Sequence, residues 1–204
     1  MRETVTLVKP AFEPPLDEQF RPAVLTHHAF LSEVRASGQG MPLVFGLERA
    51  DGSLSRFETQ VFAERHPRAA ANLFIAERLL KFLLWQRGGW RVFVGGPRAI
   101  GEHLKQMYAP DGPRAFDYHF MGEDVYQHTF RVEPCAPEEV PPENEKQQAL
   151  GRHLDGCRIG FDLGASDLKV SAVVDGRAVF SHEEVWEPRK QSDVQYHYDR
   201  IMAM

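Results

Sequence analysis

The feature that most constrains the fold of this chain is a proline- and glutamate-rich stretch near residue 140. Residues 134–149, PCAPEEVPPENEKQQA, contain four prolines and almost no apolar side chains. Such a composition cannot bury enough surface to offset the entropy lost on ordering. We therefore predict a loosely held linker at 136–150, with a helix able to resume within 143–154. It separates a domain at 1–135 from a shorter region at 151–204.

The bulk composition is that of a globular protein in an aqueous compartment. Hydrophobic residues make up 43% and charged residues 26% of the chain, and the net charge is −5 with neutral histidines. Acidic and basic residues are interspersed, whereas a nucleic-acid binder would carry a basic stripe. No apolar run reaches membrane-spanning length. We therefore expect no membrane or nucleic-acid partner. Cys135 and Cys157 lack metal-ligand spacing, so we expect reduced thiols and a cytoplasmic location.

The residues before the linker predict an α/β accessory domain. A short helix is expected to end at Gly38, and two strands within 43–62 flank Asp51-Gly52, a dipeptide suited to a tight hairpin turn. A largely buried helix follows, with Pro67 as its first residue, and includes Trp85 as a core residue. A buried strand at 90–94, which includes Trp90, and a further helix complete this α/β pattern.

The region after the linker is predicted to contain three strands around two tight turns. The sequence IGFDLGASDLKVSAVVDGRAVFS runs from Ile159 to Ser181 and reverses at Asp175-Gly176. Its first turn consists of small residues at 164–166. Glycine there lets a bulky anion approach the backbone, and consecutive backbone N–H groups can hold that anion. The turn is also explained as a plain hairpin connection, so its spacing alone does not decide between the two.

This hairpin resembles the first phosphate-binding hairpin of the actin, sugar-kinase and heat-shock chaperone ATPases. It is most similar to that of the ROK family of sugar kinases and repressors, and the resemblance covers residues 157–201. It implies the start of a ribonuclease-H-like ATPase domain at 151–204, with ATP and Mg²⁺ as cofactors and a sugar or sugar derivative as partner. The residues implied are Asp162 near the metal and Gly164, Ala165, Ser166 and Lys169 at the phosphates.

Several parts of that family's pattern are changed or lie outside these residues. Ala165 replaces the second glycine, which is expected to narrow the space for phosphate and restrict the backbone. Lys169 either reaches phosphate or forms the solvated side of a strand. The catalytic aspartate, the second phosphate loop and the adenosine loop would all follow residue 204.

We therefore expect the N-terminal, truncated part of an ATP-dependent sugar kinase that is inactive by itself and has no catalytic residue of its own. The alternatives are a non-catalytic, sugar-responsive regulatory protein of the same family and an interaction protein whose hairpin only mimics the phosphate loop. A homo-oligomer is compatible with each of these interpretations.

Overall fold

The computed structural model describes residues 5–145 and 155–204, and the chain divides into two compact units. The N-terminal unit is Met1–Gln147 and the C-terminal unit is Gln148–Met204. The first contains a mixed four-stranded sheet with helices, and the second an antiparallel three-stranded sheet with one helix. The predicted α/β class is therefore confirmed. The helix expected to resume within 143–154 falls largely outside the described residues, and 143–145 are not helical.

The N-terminal unit follows the predicted order of elements closely. Its elements are α1 (Ala23–Ser37), β1 (Gly40–Glu48), β2 (Leu54–Phe62), α2 (Ala70–Arg87), β3 (Arg91–Gly95), α3 (Arg98–Met107), α4 (Ala115–His119), a π-helix (Phe120–Tyr126), β4 (Arg131–Cys135) and a 3₁₀ turn (Pro137–Glu139). The strand order is β2-β1-β3-β4, with β3 and β4 parallel and the other pairs antiparallel. Pro134 lies in β4, an edge strand, where its missing N–H is tolerated.

Alternation along β1 distributes its side chains between two buried faces of this sheet. Leu43, Phe45 and Leu47 join the main core, while Val44 lies in a second, smaller cluster. The main core also takes its largest fully buried side chains from β2 and the helices: Phe62, Val61, Leu80, Leu83, Leu84, Ile100 and Leu104.

Helix α2 begins three residues later than Pro67, the predicted first residue. The chain first makes successive turns, with Ala69 N–H donating to the carbonyl of His66. Asn72 then fixes the start of the helix against the end of β2, because its side-chain amide accepts from Phe62 N–H at 3.0 Å and donates to Phe62 C=O at 2.8 Å. These paired bonds satisfy backbone groups at the end of the strand.

The stretch at 136–145 is more ordered than its composition predicts. Val140 is buried in the second cluster, where an added Cβ at Gly46 or Gly95 would lie only 2.8 or 2.6 Å from its methyl groups. Arg56 donates to the carbonyl of Val140 at 2.7 Å. Asn144 N–H donates to the carbonyl of Leu54 at 3.1 Å, and the side-chain Oδ1 of Asn144 accepts from Leu54 N–H at 2.5 Å. One apolar side chain and several polar contacts therefore hold a segment that the apolar count assigns to a linker.

The expectation that α2 is largely buried and that Trp85 is a core residue is wrong on one side of the helix. Trp85 is 48% exposed and Phe82 is 60% exposed. Trp85 Nε1–H donates to Asp117 at 2.7 Å, so its polar edge is satisfied while part of its ring remains open. Trp90, directly before β3, is half-buried.

The C-terminal unit contains the predicted three strands and a following helix. They are β5 (Cys157–Leu163), β6 (Asp167–Val174), β7 (Arg177–Val185), a 3₁₀ turn (Pro188–Lys190) and α5 (Val194–Ala203). The β6–β7 turn uses positive φ at both Asp175 and Gly176, the conformation typical of a two-residue hairpin turn. The central strand carries the buried residues Leu168 and Val170, whereas every residue of β5 is exposed.

Candidate functional site

The small-residue turn predicted to hold phosphate joins β5 to β6 and is held by Trp186. This tryptophan is buried and follows directly after β7. Its Nε1–H donates to the carbonyl of Gly164 at 2.7 Å, and its backbone N–H donates to the carbonyl of Ser166 at 3.1 Å. Two carbonyl oxygens of a three-residue turn are therefore bonded to one residue of the neighbouring chain segment. This arrangement orients the turn without using its own amide groups.

The amide N–H groups of this turn have no hydrogen-bond partner in the described residues. Within residues 155–204 and 5–145, the N–H groups of Gly164, Ala165 and Ser166 donate to no other residue. Ala165 and Ser166 are exposed, and Gly164 is half-buried. Consecutive backbone N–H groups that lack protein partners can together hold an anion. Three of the four predicted phosphate-binding residues thus lie together, as consecutive residues of one turn.

Glycine at 164 is required by a close approach, and the approaching group belongs to the chain itself. An added Cβ would lie 2.6 Å from Asp167 Oδ1 and 2.8 Å from Asp167 O, closer than real Cβ contacts. Ala165, in contrast, does not have a positive φ. The expected backbone restriction at Ala165 is therefore not a cost, because alanine adopts such a conformation without strain.

Asp162 and Lys169 lie in one row across the sheet, together with Glu183. The register pairs Asp162 with Lys169 and Lys169 with Glu183, so the three side chains share one face. Lys169 Nζ lies 2.8 Å from Asp167 Oδ2 and 3.8 Å from Glu183 Oε1. Of the two roles considered for Lys169, the geometry matches a partly exposed strand residue held by carboxylates.

These ion pairs shift the titration of both partners in opposite directions. The hydrogen bond and charge of Lys169 lower the pKa of the Asp167 carboxyl below its ordinary value. The pKa of Lys169 is raised, chiefly by Asp167, with smaller effects from the charges of Glu183 and Asp162. Around Lys169, this face therefore carries the carboxylates of Asp162, Asp167 and Glu183 against one ammonium. A phosphate would be repelled there unless a divalent cation accompanied it.

The carboxylate of Asp162 is the group best placed to contact such a cation. It is exposed, and it makes no hydrogen bond or ion pair with the described part of the chain. Across 5–145 and 155–204, no group of three or more His, Cys, Asp or Glu side chains could hold a metal ion. Mg²⁺ keeps several waters and binds through one or two carboxylates plus phosphate oxygens, so Asp162 would supply a single protein ligand to it.

Sequence reasoning missed Trp186, Asp167 and Glu183 at this site. The position of Trp186 is a usable signal, because a tryptophan directly after a strand in a polar segment needs a partner for its N–H. The pairing of Asp167 with Lys169 was predictable locally, since residues two apart on one strand share a face, whereas the proximity of Glu183 follows from the register between β6 and β7.

Comparisons with known proteins do not assign the chain to a family. No family model, no curated protein and no solved structure matches it.

Both cysteines are free thiols, with Cys157 exposed and Cys135 partly buried. No helix within the described ranges 5–145 and 155–204 combines the length and apolar character needed to cross a membrane.

Proposed function

We propose that the turn at 164–166, together with Asp162, binds the phosphates of Mg²⁺–ATP as the first phosphate loop of a ROK-like, ribonuclease-H-like kinase domain. The observation that carries this proposal is the orientation of the turn. Trp186 bonds the carbonyl oxygens of Gly164 and Ser166, while the three N–H groups remain without partners in the described residues. Because the carbonyl groups of this turn are held by Trp186, its N–H groups stay available to an anion in place of water.

The charge of the surrounding face makes the proposed binding depend on the metal. Asp162, Asp167 and Glu183 outweigh Lys169 on that face, and Lys169 is already paired. Free ATP is therefore repelled, whereas Mg²⁺ neutralises part of the phosphate charge and brings its own hydration shell to Asp162.

The reaction proposed for the whole domain is transfer of the γ-phosphoryl group of ATP to a sugar hydroxyl. In phosphoryl transfer the protein positions the two reactants and stabilises charge. This chain supplies the phosphate- and metal-binding part of that site through Asp162 and the turn, and the sugar-binding and proton-accepting groups are not assigned to it. We therefore propose that the chain by itself binds Mg²⁺–ATP without turnover.

A second candidate function is a non-catalytic protein of the same type that responds to a ligand. The observation in its favour is that Lys169 is held by Asp167 and Glu183. A lysine so engaged does not contribute its charge to a transferring phosphoryl group. A stably bound nucleotide without turnover, even when a cognate second half-domain and hexoses are supplied, would favour this function over the kinase.

Isothermal titration calorimetry with Mg²⁺–ATP, and with ATP plus EDTA, tests the proposed site. We expect saturable binding only with Mg²⁺. Asp162→Asn should weaken it about tenfold and Ser166→Ala about threefold, as expected for losing one charged and one neutral contact. The matched controls are Asp155→Asn, an exposed carboxylate before the other end of β5, and Ser181→Ala on β7. Absence of binding, or equal losses in the controls, would contradict the proposal.

A further inference from the structure

The N-terminal unit contains an open cavity that the proposed nucleotide site does not use. Its volume is about 930 Å³, and its walls come from the segment before α1, from α1, from β2 and from α2. Aromatic and aliphatic side chains dominate these walls, among them Phe20, Val24, Phe57, Phe74, Phe82 and Trp85.

The size and chemistry of this cavity are those of a small-molecule site. Ligand cavities occupy about 300–1,000 Å³ and combine apolar walls with a few polar groups. Phe82 and Trp85 line the cavity and yet remain about half exposed. Large apolar side chains that stay exposed at the wall of a cavity mark a ligand- or partner-binding surface.

The charged groups of the cavity are predominantly positive. Arg21, Arg78 and Lys81 line it, against the single carboxylate of Asp17. Lys81 is paired with Asp117 at 2.6 Å, and Arg21 donates to backbone carbonyls.

One further lining group is available to a ligand. Arg78 is exposed and makes no hydrogen bond or ion pair with any residue of 5–145 or 155–204. Its guanidinium is therefore the cation free to meet an anion.

We propose that this cavity binds a small amphipathic anion, an aliphatic or aromatic chain that ends in a carboxylate. The apolar body lies against Phe74 and Phe82, and the carboxylate contacts Arg78, whose planar guanidinium suits a two-oxygen partner. This site is independent of the proposed nucleotide site, since all of its groups belong to the N-terminal unit.

Calorimetric titration of the whole chain with decanoate, and with its uncharged counterpart 1-decanol, tests the role of the charge. We expect 1:1 binding of decanoate that is about fivefold tighter than that of decanol. Arg78→Gln should remove this preference, weakening decanoate and leaving decanol unchanged. Arg35→Gln, an exposed arginine of α1 that does not line the cavity, should leave both affinities as they are.

The apolar wall is tested with Phe82→Ala, which should weaken decanoate and decanol alike. Phe12→Ala is its control, because Phe12 is exposed and lies outside the cavity. All four variants change exposed side chains, so each is expected to fold, and circular dichroism checks this.

Three results would overturn the proposal: no saturable decanoate binding below its micelle-forming concentration, equal affinity for decanol, or equal losses in the controls. Co-sedimentation with anionic phosphatidylglycerol vesicles, without binding of free decanoate, would also overturn it, because the occupant would then be a lipid surface.

Discussion

The two units of this chain are stabilised by different means. In the N-terminal unit, β1 is buried on both faces, and the largest core side chains are fully enclosed. In the C-terminal unit, β5 is exposed along its whole length, and order depends on two tight turns and on Trp186. Burial therefore specifies the first unit, whereas local turn geometry and a few hydrogen bonds specify the second. The proposed nucleotide site lies in the part with fewer buried contacts, as is common for binding loops.

The largest expected difference comes from truncating one apolar side chain in each unit. Leu83→Ala removes a fully buried side chain of α2 and should cost about 3 kcal/mol in the free energy of unfolding. Phe161→Ala on β5 removes a ring that is 47% exposed and should cost less than half as much. Hydrogen exchange read by mass spectrometry, peptide by peptide, reports each unit separately. Equal losses of protection would contradict the contrast between the units.

A buried charge network should give the next largest effect. The Asp117 carboxylate, with a side chain only 2% exposed, accepts from Lys81 and Trp85. Asp117→Asn leaves the Lys81 ammonium without its counter-charge and should cost about 2 kcal/mol of unfolding free energy. Glu123→Gln, an exposed carboxylate of the neighbouring π-helix, is the control and should change little. Denaturant unfolding followed by circular dichroism measures both, and similar losses would exclude a special role for Asp117.

Replacing Trp186 by phenylalanine tests how the turn is held. The variant keeps an aromatic ring but loses the Nε1–H bond to Gly164, so we expect a cost of about 1 kcal/mol. Trp90→Phe is a matched control, because Trp90 Nε1 is buried and has no partner among the described residues. Trp90→Phe removes the same atoms as Trp186→Phe but breaks no hydrogen bond. Thermal unfolding should show the larger loss for Trp186→Phe; the reverse order would mean that the turn is held in another way.

The smallest expected effect is a pH dependence confined to the N-terminal unit. Burial lowers the pKa of His27, helped by the nearby charge of His28, and burial also lowers that of His103. The folded state then binds these protons less readily than the unfolded state. The contribution of these two histidines to the free energy of unfolding is therefore largest above their unfolded pKa of about 6.5, and it decreases as the pH falls below that value.

Melting temperatures at pH 7.5 and 5.5 measure this dependence. Stability should decrease between them, and His27→Gln should reduce the decrease more than His28→Gln, which removes only the smaller effect of a neighbouring charge. An unchanged pH dependence in His27→Gln would show that other groups carry it.

The elements of the fold were largely predictable from the sequence. Helix α1 ends where Gly38 takes a positive φ, and the β1–β2 and β6–β7 hairpins reverse at Asp-Gly dipeptides, because these signals act through local backbone conformation. Hydrophobic patterning failed where burial depends on tertiary contacts. Trp85 is partly exposed, and Val140 is buried in a segment that composition assigns to a linker.

The candidate site was predictable only in part, for the same reason. The small residues at 164–166 and Asp162 carry their own signal, since consecutive N–H groups in a turn of small residues can hold an anion. The arrangement of the surrounding charged side chains is only partly visible in the sequence. That Lys169 lies beside Glu183 follows from the register of β6 and β7, which no local pattern gives, whereas its pairing with Asp167 follows from alternation along one strand. The family resemblance supplies the nucleotide, and it remains a prediction.

The most direct test of the central claim is a ¹⁵N–¹H correlation spectrum of the chain during titration with Mg²⁺–ATP. The account predicts saturable shifts of the Gly164, Ala165 and Ser166 amides, no such shifts with ATP plus EDTA, and loss of the shifts in Asp162→Asn. Unchanged amides at 164–166 at millimolar Mg²⁺–ATP would contradict it and would leave the turn as a hairpin connection held by Trp186.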